Sequence, residues 1–86
     1  MKKIVMYRTS GCPYCVAAER LLRAKNVEFD QVLLDDHPDR RGFTASILPG
    51  HYSVPLVVID EKPIGGFDDL QTLESRGTLD EVIGVS

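Results

Sequence analysis

The chain is poor in sulfur, in basic runs and in long apolar stretches. It holds only two cysteines among 86 residues, so no network of long-range disulfides can stabilise it. No segment approaches the roughly 20 apolar residues of a membrane-spanning helix. The N-terminal "MKKIVMYRTS" has only Ile4 to Tyr7 as an apolar run, too short for a signal-peptide core, and no small-residue cleavage site follows it. No basic run occurs and the formal net charge is −3, which argues against sequence-blind affinity for nucleic acid or an anionic membrane. These absences lead us to expect a cytoplasmic protein whose partners are small molecules and other proteins. With no heptad pattern and no conspicuous apolar excess, a monomer is expected. The length suits one domain spanning 1–86, and 43% hydrophobic residues suffice for a small core.

Both cysteines fall within five residues, "GCPYC" at 11–15. Upstream, "KIVMY" (3–7) reads as a buried strand ended by the polar "RTSG". From Pro13 to Asn26, Val16, Ala17, Ala18, Leu21, Leu22 and Ala24 recur mostly at helical spacing, and proline suits the first helical turn. That helix begins at Cys12. "VEFDQVLLD" (27–35) supports a second strand, making a parallel pair with a right-handed crossover. Farther on, "DDHPDRRGFTASIL" predicts a helix entered with Pro38 at its first position and weakened by Gly42. "VPLVVID" reads as a buried strand, Asp60 and Glu61 as a turn, and "KPI" as a short edge strand. "GGFDDLQTLESRG" predicts a helix with acidic residues in its first turn and Arg76 in its last, followed by one or two further turns over 78–83.

Three chemistries compete for the cysteine pair. A structural disulfide between Cys12 and Cys15 would enclose so few residues that it would gain little chain entropy. A closed metal site needs two more ligands, and the chain offers only His37 and His51 in separate segments, so no metal is expected. Thiol–disulfide exchange explains the placement. A thiol at a helix start meets unsatisfied backbone N–H groups and the positive end of the helix dipole, which stabilise its thiolate. Cys12 is therefore the attacking thiol. Cys15, one turn farther in, is placed to attack the mixed disulfide that Cys12 forms, and burial keeps its proton on more tightly. Tyr14 can flank the exposed sulfur, and Arg8, four residues before Cys12, can add positive charge near the thiolate.

The chain resembles the glutaredoxins of the dithiol class. The residues that carry the resemblance are "CPYC" at 12–15, Val54–Pro55, "GGFDDL" at 65–70 and "GTLDEVI" near the end, and it spans essentially the whole chain. It implies an α/β thioredoxin fold, a four-stranded mixed β-sheet flanked by α-helices, and glutathione as co-substrate. It further implies a cis bond at Val54–Pro55, a turn that leaves the Val54 backbone facing Cys12 to pair with the cysteine of glutathione. Ser53 lies just before that turn. "GGFDD" would receive the zwitterionic γ-glutamyl end: the N–H groups near Gly66, Phe67 and Asp68 its carboxylate, and Asp68 or Asp69 its amino group. Where family members often carry a lysine before the first cysteine this chain has Thr9, with Arg8 as the neighbouring cation. Phe67 stands where a third cysteine is frequent.

The function expected is glutathione-dependent reduction of protein disulfides and of glutathionylated proteins, with ribonucleotide reductase among the targets such proteins serve. Two rivals are a redoxin reduced by thioredoxin reductase and an iron–sulfur carrier ligated by Cys12 and glutathione from two chains. The acidic pair in "GGFDD" speaks against the first, and Pro13 with a usable resolving Cys15 against the second.

Overall fold

The computed structural model describes residues 2–84. Four strands, β1 (Ile4–Arg8), β2 (Asp30–Leu33), β3 (Leu56–Ile59) and β4 (Lys62–Gly65), form one mixed sheet in the order β2-β1-β3-β4. β1 runs parallel to β2, with Met6 opposite Gln31, and antiparallel to β3, with Met6 opposite Val57. The helices are α1 (Pro13–Ala24), α2 (Arg40–Ile47), α3 (Phe67–Ser75) and α4 (Leu79–Ile83).

The period-two alternation of a strand sends Ile4 and Met6 to one face of the sheet. There they are buried with Ala18 and Leu22 of α1, Val57 and Ile59 of β3, Leu70 of α3, and Leu79 and Ile83 of α4. On the opposite face Tyr7 meets the edge of the Phe43 ring of α2, centroids 5.2 Å apart. Helices thus cover both sides of the sheet. Lys25, at the end of α1, holds the three-helix face together by pairing with Glu74 at 2.7 Å and Asp80 at 2.8 Å.

Several boundaries differ from those read in the sequence. α1 stops at Ala24 because Asn26 turns left-handed, with φ 57°. β2 keeps only residues 30–33, while Val27 and Phe29 pack against the core from outside it. α2 starts two residues after Pro38: Asp39 is its cap, and its carboxylate accepts the Gly42 N–H at 3.0 Å. Gly42 therefore helps to start that helix. Arg76 caps the end of α3 and does not lie in its last turn, and Pro55 precedes β3 instead of opening it.

Leu70 is the buried residue that seats α3 on the core. Leu70→Ala is expected to cost about 2–5 kcal/mol, the range for buried leucine truncations, read as a lower midpoint in urea unfolding. An unchanged midpoint would mean that α3 is not held by this contact.

Candidate active site

β1 ends in the loop Thr9–Gly11, which delivers the chain to the start of α1. The loop is tied to the end of β2, where Asp35 accepts the Ser10 N–H at 3.0 Å and a second bond from the Ser10 hydroxyl. Those bonds, the hydroxyl's first, hold the Asp35 carboxyl below the usual carboxylate range. Cys12 then takes the N-cap position with extended backbone, φ −99° and ψ 113°, and Pro13 follows as the first helical residue. A sulfur occupies the place of a capping oxygen. Cys12 Sγ accepts the Cys15 N–H at 3.2 Å, so the chain's own helix start supplies the donor.

The two thiols sit in different surroundings although one helical turn separates them. Cys12 is half-buried, and its Sγ lies 3.8 Å from the Val54 carbonyl oxygen across the site. Cys15 is fully buried, 0% exposed. Burial, and next its contact with Cys12, push the Cys15 thiol up to about 12; the Thr9 backbone N–H and the Arg8 charge act in the other direction. One thiol is therefore accessible and the other is stored protonated beneath it.

A groove of about 330 Å³ opens beside Cys12, lined by Tyr14 on one side, His51, Ser53, Val54 and Pro55 on its floor, and Gly66 to Asp69 on the other side. The Val54–Pro55 bond is cis. Tyr14 is 64% exposed and forms an open wall. α3 enters the groove with its N-terminus, and its approach is close: a Cβ on Gly66 would come within 3.3 Å of the Pro55 carbonyl and 3.4 Å of the His51 ring. At Gly65, φ is +131° and a side chain would run into the Asp69 carboxylate. The backbone at Gly65 thus calls for glycine, and Gly66 leaves little room for a side chain where this helix meets the proline loop. Asp69 folds back to accept the Gly66 N–H at 2.9 Å, which locks the start of α3. The side chain of Asp68 makes no such bond and is exposed on the groove rim.

Eight of the ten residues expected around glutathione line this groove: Tyr14, Ser53, Val54, Pro55, Gly66, Phe67, Asp68 and Asp69. Arg8 and Thr9 do not. The guanidinium of Arg8 points beneath α1, where Nη1 reaches Glu19 at 2.6 Å and Gln31 at 2.7 Å, and Nε reaches the Thr9 carbonyl at 3.3 Å. The inward direction follows strand parity, since Arg8 shares a face with Ile4 and Met6. His51, expected to make local hydrogen bonds, does so and also lines the groove. Its Nε2–H donates to the Pro55 carbonyl at 3.1 Å, bracing the loop from below. Larger clefts exist, one of about 590 Å³ between Lys2–Ile4, Arg23 and residues 27–30; Cys12 lines neither that cleft nor the 330 Å³ groove, but it meets the groove through the Val54 carbonyl. Among the described residues no three metal-binding side chains gather.

Comparison with known proteins agrees with this geometry. The sequence model of the glutaredoxin family matches residues 4–64. A glutaredoxin of Pseudomonas aeruginosa is 40% identical over 83 residues, covering 96% of this chain and 98% of its own. The chain belongs to the glutaredoxin family. The solution structure of a dithiolic glutaredoxin from Trypanosoma brucei brucei superposes with a TM-score of 0.82 at 33% identity, covering 95% of this chain and 87% of that one. A buckwheat glutaredoxin, solved as its glutathione complex, gives a TM-score of 0.84 at 26% identity, over 96% of this chain and 77% of that one. The mixed sheet flanked by helices is thus the thioredoxin fold of a glutaredoxin, and membership carries thiol oxidoreductase activity with it.

The unequal thiols give a direct expectation for alkylation. Cys15, its thiol pushed far up by burial and by Cys12, stays protonated at pH 8, and its sulfur is covered by protein. Brief iodoacetamide treatment of the reduced native protein should add one group, at Cys12, and two groups in denaturant, as read by peptide mass spectrometry. Equal native labelling of both thiols would contradict the burial.

Proposed function

We propose that the protein reduces protein disulfides and glutathione mixed disulfides at the expense of glutathione. The observation that carries this reading is the placement of Cys12 Sγ 3.8 Å from the carbonyl of Val54, a residue that lines a groove together with the start of α3. The groove's volume, about 330 Å³, suits a tripeptide. An extended peptide laid along Val54 would pair with its backbone as an added strand, bringing the peptide's sulfur to Cys12. At the far wall, the first-turn N–H groups of Phe67 and Asp68 have no partner within α3 and suit a carboxylate. With Asp69 committed to the cap, Asp68 is the residue left to meet an ammonium group. A carboxylate and an ammonium on one carbon are the signature of the γ-glutamyl end.

The chemistry follows from the two sulfurs. The Cys12 thiolate attacks a disulfide, one partner leaves as a thiolate, and a mixed disulfide remains on Cys12. Glutathione resolves it in the monothiol route. In the dithiol route Cys15 does so, leaving a Cys12–Cys15 disulfide that two glutathiones reduce in turn. The complex of the buckwheat relative with glutathione supports glutathione as the ligand. Glutathionylated and disulfide-bonded proteins, ribonucleotide reductase among them, are then the targets, and the reducing cytoplasm is where a monomeric protein of this kind would work.

The test is reduction of a small glutathione mixed disulfide, coupled to glutathione reductase and NADPH. Cys12→Ser should be inactive and Cys15→Ser active. A wild type inactive in this assay yet reduced by thioredoxin reductase would discard glutathione as the reductant.

The two aspartates separate binding from folding. Asp68→Asn should raise the KM for glutathione severalfold at unchanged urea midpoint, whereas Asp69→Ala should lower that midpoint by weakening the cap. The reverse pattern would exchange their roles.

A further inference from the structure

Arg8 is a charged group buried beneath the redox helix, with a side chain only 9% exposed. The reaction outlined above assigns it no task. It projects from the last position of β1 toward α1 and pairs with Glu19, which lies four residues, one helical turn, after Cys15. Cys15 and Glu19 therefore share the face of α1 that rests on Arg8. The Glu19 carboxylate is divided between two guanidinium groups, since Arg23 also reaches it, at 2.8 Å and 3.0 Å. Gln31 of β2 completes the cluster through contacts with both Arg8 and Glu19. Two cations and one anion leave the cluster with one net positive charge, and its buried member is the cation on the Cys15 side.

We infer that Arg8 is a positioning residue for the resolving step, holding a positive charge under Cys15 that favours its thiolate while Glu19 limits that charge. The inference rests on the dithiol route proposed above. In that step Cys15 gives its proton to solvent and its sulfur bonds to Cys12 Sγ. The bond from Cys12 to the partner's sulfur breaks, and the partner leaves as a thiolate with the electron pair and takes up a proton from water. Of the other groups around Cys15, Cys12 is tied up in the mixed disulfide and the Thr9 N–H is fixed by the backbone. The residues that β3 and α3 bury beneath α1, Val57, Ile59 and Leu70, are apolar, and the carboxylates of Asp68 and Asp69 front the groove instead. Arg8 is the cation left to help the thiolate form.

The arrangement has its own signature. Attack by a thiol far below its ionisation range gains from a larger thiolate fraction and loses about half of that gain in nucleophilicity, so a one-unit shift changes the rate by about threefold. The full-length reduced protein is mixed with a symmetric, chromogenic aryl disulfide, which needs no glutathione. The first aryl thiolate released reports attack by Cys12 and the second reports resolution by Cys15. Arg8→Met should slow the second release about threefold or more across the neutral pH range and leave the first unchanged; Arg8→Lys should restore it. Glu19→Gln, which removes the counter-charge, should speed the second release. In a Cys15→Ser background, Arg8→Met should leave the glutathione-coupled activity unaltered.

An unchanged second release in folded Arg8→Met overturns the inference, as does failure of Arg8→Lys to restore it. Should Arg8→Met not fold, Glu19→Gln decides: faster release upholds the inference, and unchanged or slower release overturns it. Loss of the glutathione-coupled activity in wild type, with both aryl releases intact, would strike the glutathione reading and leave this one standing.

Discussion

The hydrogen bond from the Cys15 N–H to Cys12 Sγ is the contact on which the site is organised. It requires Cys12 to stand at the N-cap with extended backbone, which Pro13 enforces by opening the helix immediately after it. It also fixes the relation of the two sulfurs. The thiol that caps the helix is exposed to substrate and bathed in the donors of the first turn, while the thiol whose own amide makes the bond is drawn into the core. The difference in reactivity is therefore a consequence of one turn of helix and not of two separately built environments.

What surrounds that turn serves to hold it against the groove. β1 brings the chain to the site, Asp35 anchors the loop, and the buried face of α1 secures the helix through Ala18 and Leu22. From the other side, the proline loop presents the Val54 carbonyl, and α3 presses its N-terminus against that loop so closely that Gly66 has little room for a side chain. His51 and Asp69 then fasten the two walls from within, one to the Pro55 carbonyl and one to the Gly66 amide. Rigid backbone on both sides is what such a site needs, because extended thiol peptides are recognised mainly through their main chain.

The parts of this arrangement that depend on neighbours in sequence were legible in the sequence. Cysteine, proline and a helical pattern announce the start of α1, and two glycines followed by two aspartates announce the start of α3; both are local helix-entry signals. The boundary of α2 was misplaced because two local signals compete there, Pro38 and Asp39, and the side-chain cap prevails. Arg8 was misdirected for a different reason. Its distance from Cys12 along the chain is short, but strand parity turns it away from the groove and toward Glu19, and both the alternation Ile4, Met6, Arg8 and the i to i+4 spacing of Cys15 and Glu19 could have revealed it. Asp35 owes its place to bonds across the fold, from Ser10, that no periodicity encodes.

The division of labour between the two thiols is the central claim, and rapid acid quench with peptide mass spectrometry reads it directly. Reduced protein is mixed with one equivalent of oxidised glutathione and sampled from milliseconds onward. The account predicts an early glutathione adduct on Cys12 alone, giving way to a Cys12–Cys15 disulfide with release of glutathione. An early adduct on Cys15, or adducts divided evenly between the two, would contradict it.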